Sequence, residues 1–133
     1  MREIVVLVGI PGSGKSTLAT TTFANYTRVN LDSINHSRST EAQIMKSTNN
    51  SIVIDNTDIT VKSRERYIKF ARAHNIPIRA ILLAIKPKTA VNRISKRERK
   101  VPPFVVYTYA RRLEIPSVYE GFSSVEVINE EVK

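Results

Sequence analysis

Four runs of apolar residues punctuate the chain, at 3–8, 51–55, 78–85 and 125–128, with a weaker one at 26–30. Ile4-Val-Val-Leu-Val8 and Ile52-Val-Ile54 contain no polar alternation. A strand with one wet face alternates, whereas one covered on both faces does not, so these runs predict buried strands of a parallel sheet. Helical stretches are predicted between them, over 15–25, 33–46, 61–74 and 89–100. The third follows the capping candidates Asp58 and Thr60 and pairs Glu65 with Lys69 at i,i+4. Its apolar face carries Tyr67, Ile68, Phe70 and Ala71. Residues 104–109, Phe-Val-Val-Tyr-Thr-Tyr, individually favour strands. Yet Pro102-Pro103 makes a good helix start, and Val106, Tyr109, Ala110 and Leu113 share one helical face, which predicts a helix. Phe104, Tyr107 and Tyr109 are expected to pack into the core. Alternating strands and helices give an α/β three-layer sandwich around a central, mostly parallel sheet of about five strands.

At 133 residues the chain suits a single domain spanning 1–133. It has no cysteine, which excludes a disulfide scaffold, thiol catalysis and cysteine zinc sites. His36 and His74 have no partners at metal-ligand spacing and are expected at the surface. No stretch approaches the roughly 18 apolar residues of a membrane span, and no signal-peptide pattern precedes the first strand. An intracellular setting without membrane attachment is the expectation. The net charge is +9, unevenly placed: residues 62–112 hold 15 basic and 2 acidic side chains, the rest 6 and 10. Such a stretch suits a polyanionic partner, or is simply a well-solvated basic face.

Gly9-Ile-Pro-Gly-Ser-Gly14-Lys15-Ser16-Thr17 matches G-x-x-x-x-G-K-[ST] in full, after a strand and before a helix. In that context the backbone N–H groups of Gly12 to Thr17 cradle phosphates at a helix N-terminus. Lys15 reaches the β- and γ-phosphates of ATP, and the Ser16 hydroxyl serves Mg²⁺, a hard cation that accepts few protein ligands. Gly12, Ser13, Gly14, Lys15, Ser16 and Thr17 are the predicted nucleotide site. The N-K-x-D guanine pattern is absent and the chain is short for a motor ATPase, which leaves small phosphotransferases.

The acceptor side rests on carboxylates at strand ends, where ligands of parallel sheets gather. Asp32 follows the second strand, either as a general base on an acceptor hydroxyl or as a helix N-cap. Asp55 ends the third, placed to hold Mg²⁺ through water, to orient an arginine or to close a turn. Arg93 and Arg97, and Lys96 and Lys100, repeat like charges at i,i+4, which costs a few tenths of a kcal/mol per pair. A helix that keeps them either has an anion to bind, for which ATP phosphates qualify, or is a solvated basic helix.

Together these residues resemble the polynucleotide 5′-hydroxyl kinases. The resemblance is carried by Gly9 to Thr17, Val29-Asn30-x-Asp32, Val53-Ile-Asp55-Asn56-Thr57 and Ser63-Arg64-x-Arg66-Tyr67. It continues in the Arg93-x-x-x-Arg97 lid and Leu113-Glu-x-Pro116 … Glu120-Gly121-Phe122, and so covers nearly the whole chain. It implies a P-loop NTPase-type fold with an Arg-rich helical lid, ATP and Mg²⁺ as cofactors, and a nucleic acid with a 5′-OH end as partner. Asp32 then matches the general base, Lys15 and Ser16 the phosphate and metal ligands, Arg97 the lid arginine on the donor phosphates and Arg93 a second nearer the nucleotide. Asp55 matches the aspartate that supports an arginine on the acceptor's 3′-phosphate. That arginine would stand at Asn35; Arg38 is the nearest candidate. Leu31 likewise replaces the arginine usual before the base.

The expected activity is transfer of the ATP γ-phosphate to the 5′-OH of DNA or RNA. The D-x-D-x-T motif of the companion 3′-phosphatase is absent, so phosphatase activity is not expected. A small-molecule kinase acting on a nucleoside or sugar, and a non-catalytic ATP-binding adaptor on nucleic acid, are the alternatives.

Overall fold

The computed structural model describes residues 2–97 and 101–132, with the Val132 side chain left out. Five strands, β1 (Ile4–Val8), β2 (Thr27–Val29), β3 (Ile52–Ile54), β4 (Ile78–Ala84) and β5 (Val125–Asn129), form one sheet in the order β2-β3-β1-β4-β5. All four pairings are parallel, where a mostly parallel sheet was expected. All five residues of β1 are fully buried, which explains its unbroken apolar run.

The helices cover both faces. Ile4, Val6 and Val8 turn toward Met45 of α2 (Arg38–Ser47) and Tyr67, Ile68 and Ala71 of α3 (Val61–Ala73). Val5 and Leu7 turn the other way, onto Ala19 of α1 (Lys15–Thr21) and Phe23. A smaller cluster joins Ile10 to Ala90 and Ile94 of α4 (Pro87–Ser95) and Val106 of α5 (Pro103–Arg112).

Several boundaries differ from those expected. The helix expected over 15–25 ends at Thr21, where Thr20 and Thr21 hydroxyls turn back onto the Ser16 and Thr17 carbonyls. The one expected over 33–46 splits into a 3-10 turn, Leu31–Ile34, and α2. Asn35 and His36 between them both take left-handed φ (54° and 58°), and Ser37 caps α2. Thr60, with Ser63, forms the capping box of α3; Asp58 is buried instead. The basic helix begins earlier, at Pro87, and ends at Ser95; Lys100 and its two predecessors lie outside the described residues.

The helix after Pro102 is present, but Phe104 and Tyr107 are not in the core. They are 71% and 41% exposed. α5 packs on α4 at the end of the sheet, so only its Val106, Tyr109 and Ala110 stripe is covered. Among the described residues no helix is long and apolar enough to cross a membrane.

Candidate active site

The loop leaving β1 approaches α4 closely. A Cβ at Gly12, where φ is 87°, would stand 2.8 Å from the Ala90 carbonyl oxygen, so only glycine lets the loop lie there. The Ser13 N–H donates to the Ile10 carbonyl (3.1 Å) and its side chain is fully buried. Lys15 lies over the loop, its Nζ donating to the carbonyls of Gly9 (2.8 Å) and Ile10 (3.1 Å). Burial lowers its pKa from 10.5 to about 8; Asp55 and Asp58 oppose the shift and Arg97 adds to it.

This loop floors a cleft of about 710 Å³. Gly12, Gly14, Lys15, Ser16 and Thr17 line the floor. Leu31, Asp32, His36, Arg38, Asp55, Thr57, Asp58 and Arg66 line the cleft as well. So do Arg97, Val101, Val105 and Tyr109. The fold therefore brings most of the expected site residues to one opening, although they come from five different segments. Ser13 and Arg93 do not line it. Arg93 instead meets Glu130 after β5, Nη1 to Oε1 at 3.2 Å, because that carboxylate is 5% exposed and needs a counter-charge.

Asp55, 2% exposed, orients an arginine, one of the three roles open to it. The arginine is Arg28 of β2, whose Nε and Nη2 donate to Asp55 Oδ2 at 2.8 and 2.5 Å. The same Nη2 lies 3.3 Å from Ser16 Oγ, so a guanidinium sits at the P-loop hydroxyl. Arg38 lines the cleft without replacing it. Asp32 is half-exposed at the start of the 3-10 turn, but Asn30 is the cap there, accepting from the Ser33 N–H (3.0 Å). The Asp32 carboxylate is thus left for the cleft, 3.1 Å from His36 Nε2. His36 is at the surface as expected, yet it also lines the site.

A buried network holds the Asp32 turn. Asn56 accepts from the Leu31 N–H (2.7 Å) and donates to Glu41 (3.1 Å) and to the Tyr67 hydroxyl (2.8 Å). Tyr67 donates to Glu41 (3.0 Å), and Arg66 pairs with Glu41 at 2.7 Å while lying over the Tyr67 ring. Behind it Asp58, 4% exposed, is pushed up to about 6 by burial, with Arg66 3.5 Å away opposing the shift. Asp58 Oδ2 has no hydrogen-bond partner among the described residues.

Sequence reasoning missed Arg28 and Glu41. A signal existed for Glu41, the one acid in α2 and on the same helical face as Ile44 and Met45. Arg28 gave none beyond being a charge inside a short strand, because its partners arrive from β3 and α1.

Among the described residues no group of three or more acidic or histidine side chains could hold a metal. A cation here would rest on few protein ligands. Ser16 Oγ is a hard oxygen on the cleft, a donor that fits Mg²⁺ completed by phosphates and water, while the Asp55 carboxylate is engaged by Arg28.

Residues 34–116 match the family model described as an AAA domain. The chain belongs to the AAA domain family. The bifunctional polynucleotide phosphatase/kinase of Schizosaccharomyces pombe is 38% identical to this AAA domain protein over 140 residues, covering 96% of this chain and 33% of that protein. The chain thus spans about a third of that relative's length, and the resemblance to polynucleotide kinases is borne out. Among solved structures, Kti12 of Chaetomium thermophilum with ADP-AlF3 superposes at a TM-score of 0.72 and 16% identity, over 95% of this chain and 88% of that one. A gluconokinase from Sinorhizobium meliloti superposes at 0.69 and 16% identity, over 97% and 84%. These two likenesses establish the P-loop α/β fold of the AAA domain.

Proposed function

We propose that the chain is an ATP-dependent, Mg²⁺-dependent kinase that transfers the γ-phosphate to the 5′-OH end of DNA or RNA. The reading is carried by one observation: Asp32, freed of capping duty, and the P-loop with Lys15 open onto the same cleft. The 5′-oxygen attacks the γ-phosphorus, its proton passes to the Asp32 carboxylate, and the bond to the β,γ-bridging oxygen breaks to release ADP. Lys15, Arg97 and the loop N–H groups stabilise charge on the transferring phosphoryl. Bound Mg²⁺, held through Ser16 Oγ, supplies charge neutralisation on the nucleotide phosphates. Arg28, fixed by Asp55, presents its guanidinium to a phosphate, the duty expected of Arg38. The 38% identical relative named as a phosphatase/kinase supports the polynucleotide acceptor. Within these residues the D-x-D-x-T phosphatase motif is absent, and the kinase step alone is proposed.

Incubation with ATP, Mg²⁺ and a 5′-OH oligonucleotide should yield a 5′-phosphate; no product across DNA and RNA ends would sink the reading. Asp32→Asn should abolish transfer and leave ATP binding nearly intact, and an unchanged rate removes Asp32 from the base role. A small-molecule kinase is the second reading, favoured by the fold likeness to a gluconokinase. It predicts phosphorylation of sugars or free nucleosides with little salt dependence, whereas a polynucleotide acceptor weakens steeply with salt.

A further inference from the structure

α5 has three faces. Val106 and Ala110 pack on α4, Val105 and Tyr109 line the cleft, and Phe104, Tyr107 and Arg111 face solvent at i, i+3 and i+7. The face sets two exposed aromatic rings one turn apart beside an arginine; other apolar side chains are exposed too, Ile115 and Tyr119 among them, but none of those lines the cleft or lies on α5. The face is not isolated. It lies on the helix whose Val105 and Tyr109 line the same cleft as Asp32, so a strand that leaves the cleft beside α5 meets it. The stretch of chain that carries it is basic: Arg111 and Arg112 close the helix, and Glu98 is the only acid in the sequence between Lys86 and Arg112. An acidic peptide would satisfy the charge but not the rings, and an apolar partner the rings but not the charge. A single-stranded polynucleotide satisfies both, with a π-face on every base and a phosphate on every nucleotide.

We propose that Phe104, Tyr107 and Arg111 form a stacking face for the nucleotides that follow the 5′-terminal one in an acceptor strand. The proposal rests on the polynucleotide reading above. The 5′ end enters the cleft at Asp32, and the strand emerges over α5 with bases laid on Phe104 and Tyr107 while Arg111 meets the backbone. Base identity is not read, because stacking on a ring tolerates every base.

The test uses the whole chain and 3′-fluorescein-labelled oligomers dT12 and rU12 with a free 5′-OH. By anisotropy, the Phe104→Ala/Tyr107→Ala double variant should bind them at least about fivefold more weakly, and Phe104→Trp/Tyr107→Trp should restore affinity. In kinase assays the alanine variant should raise KM for the 12-mer at least about fivefold more than KM for a nucleoside 3′-monophosphate, which is too short to leave the cleft and reach the Phe104–Tyr107 face. Both rings are exposed, so the single variants keep the fold and serve if the double one does not. Equal oligomer affinity of parent and alanine variants overturns the proposal and leaves the face to a protein partner. Parallel KM changes for long and short acceptors overturn it too. If the parent phosphorylates no 5′-OH acceptor, the kinase reading fails by itself while the anisotropy comparison still decides the stacking face.

Discussion

Glu120→Ala tests whether Glu120-Gly121-Phe122, one of the segments that carry the family resemblance, is architecture rather than chemistry. Arg64 is fully buried, and its Nε and Nη2 donate to Glu120 Oε1 and Oε2, both at 2.9 Å. Nη1 reaches the Asp58 carbonyl (2.9 Å) and Nη2 the Glu114 carbonyl (3.0 Å). One guanidinium thus ties α3 to the segment between α5 and β5. Removing Glu120 leaves two carbonyl contacts and an uncompensated buried cation, a loss of about 3–5 kcal/mol. Against a total of about 5–15 kcal/mol for a domain, that is a large fraction. For a domain of this size the expected drop in Tm is about 10–20 °C. Thermal unfolding followed by circular dichroism measures it. The Arg64→Met/Glu120→Leu double variant, which buries no charge, should recover at least half of the loss. Neither residue lines the cleft, so ATP affinity well below the transition should match the parent. A single-variant shift under about 3 °C, or a double variant worse than the single, would refute the reasoning.

Arg28→Ala should lower kcat/KM for phosphate transfer at least about tenfold and destabilise the fold, since it leaves the buried Asp55 carboxylate unpaired. Adding Asp55→Asn should restore the stability without the activity; full recovery of both would refute the role given to the pair. Lys15, with its pKa lowered to about 8, releases a proton on folding between pH 8 and 10.5, so stability rises with pH across that window. Phosphate contact raises that pKa again, so ATP binding at pH 8 should take up protons. Calorimetry in two buffers of different ionisation enthalpy reads this, and identical heats refute it. Asp58, raised from 3.8 to about 6, favours the fold below pH 4, and that contribution disappears as pH rises through 6. Asp58→Asn should therefore be more stable than the parent at pH 8, with the Tm gap closing near pH 4.5; a pH-independent gap counts against it.

Much of the site was legible because P-loop chemistry is local. Gly12 to Thr17 are consecutive, their backbone conformation follows from glycine placement, and the preceding strand is marked by its own apolar run. Asp32 and Asp55 were legible for a similar reason, since strand ends in a parallel sheet collect at one edge. Their duties were not. Whether Asp32 caps a helix or faces the cleft turned on Asn30 taking the cap, a contest between neighbours that propensity does not settle. Arg93, at the right spacing for a lid, was drawn away by Glu130, 37 residues later in the chain.

The sequence by itself determined the alternation of strands and helices, the phosphate loop and the family motifs, because each depends on residues within a turn or two of one another. Only the tertiary structure decided that Asp55 holds Arg28, that Arg64 meets Glu120 across 56 residues, and that Phe104 and Tyr107 stay outside. Those outcomes depend on which charges and faces find a partner once the sheet is assembled. Burial makes such partnership compulsory for a charge and optional for a ring at the surface.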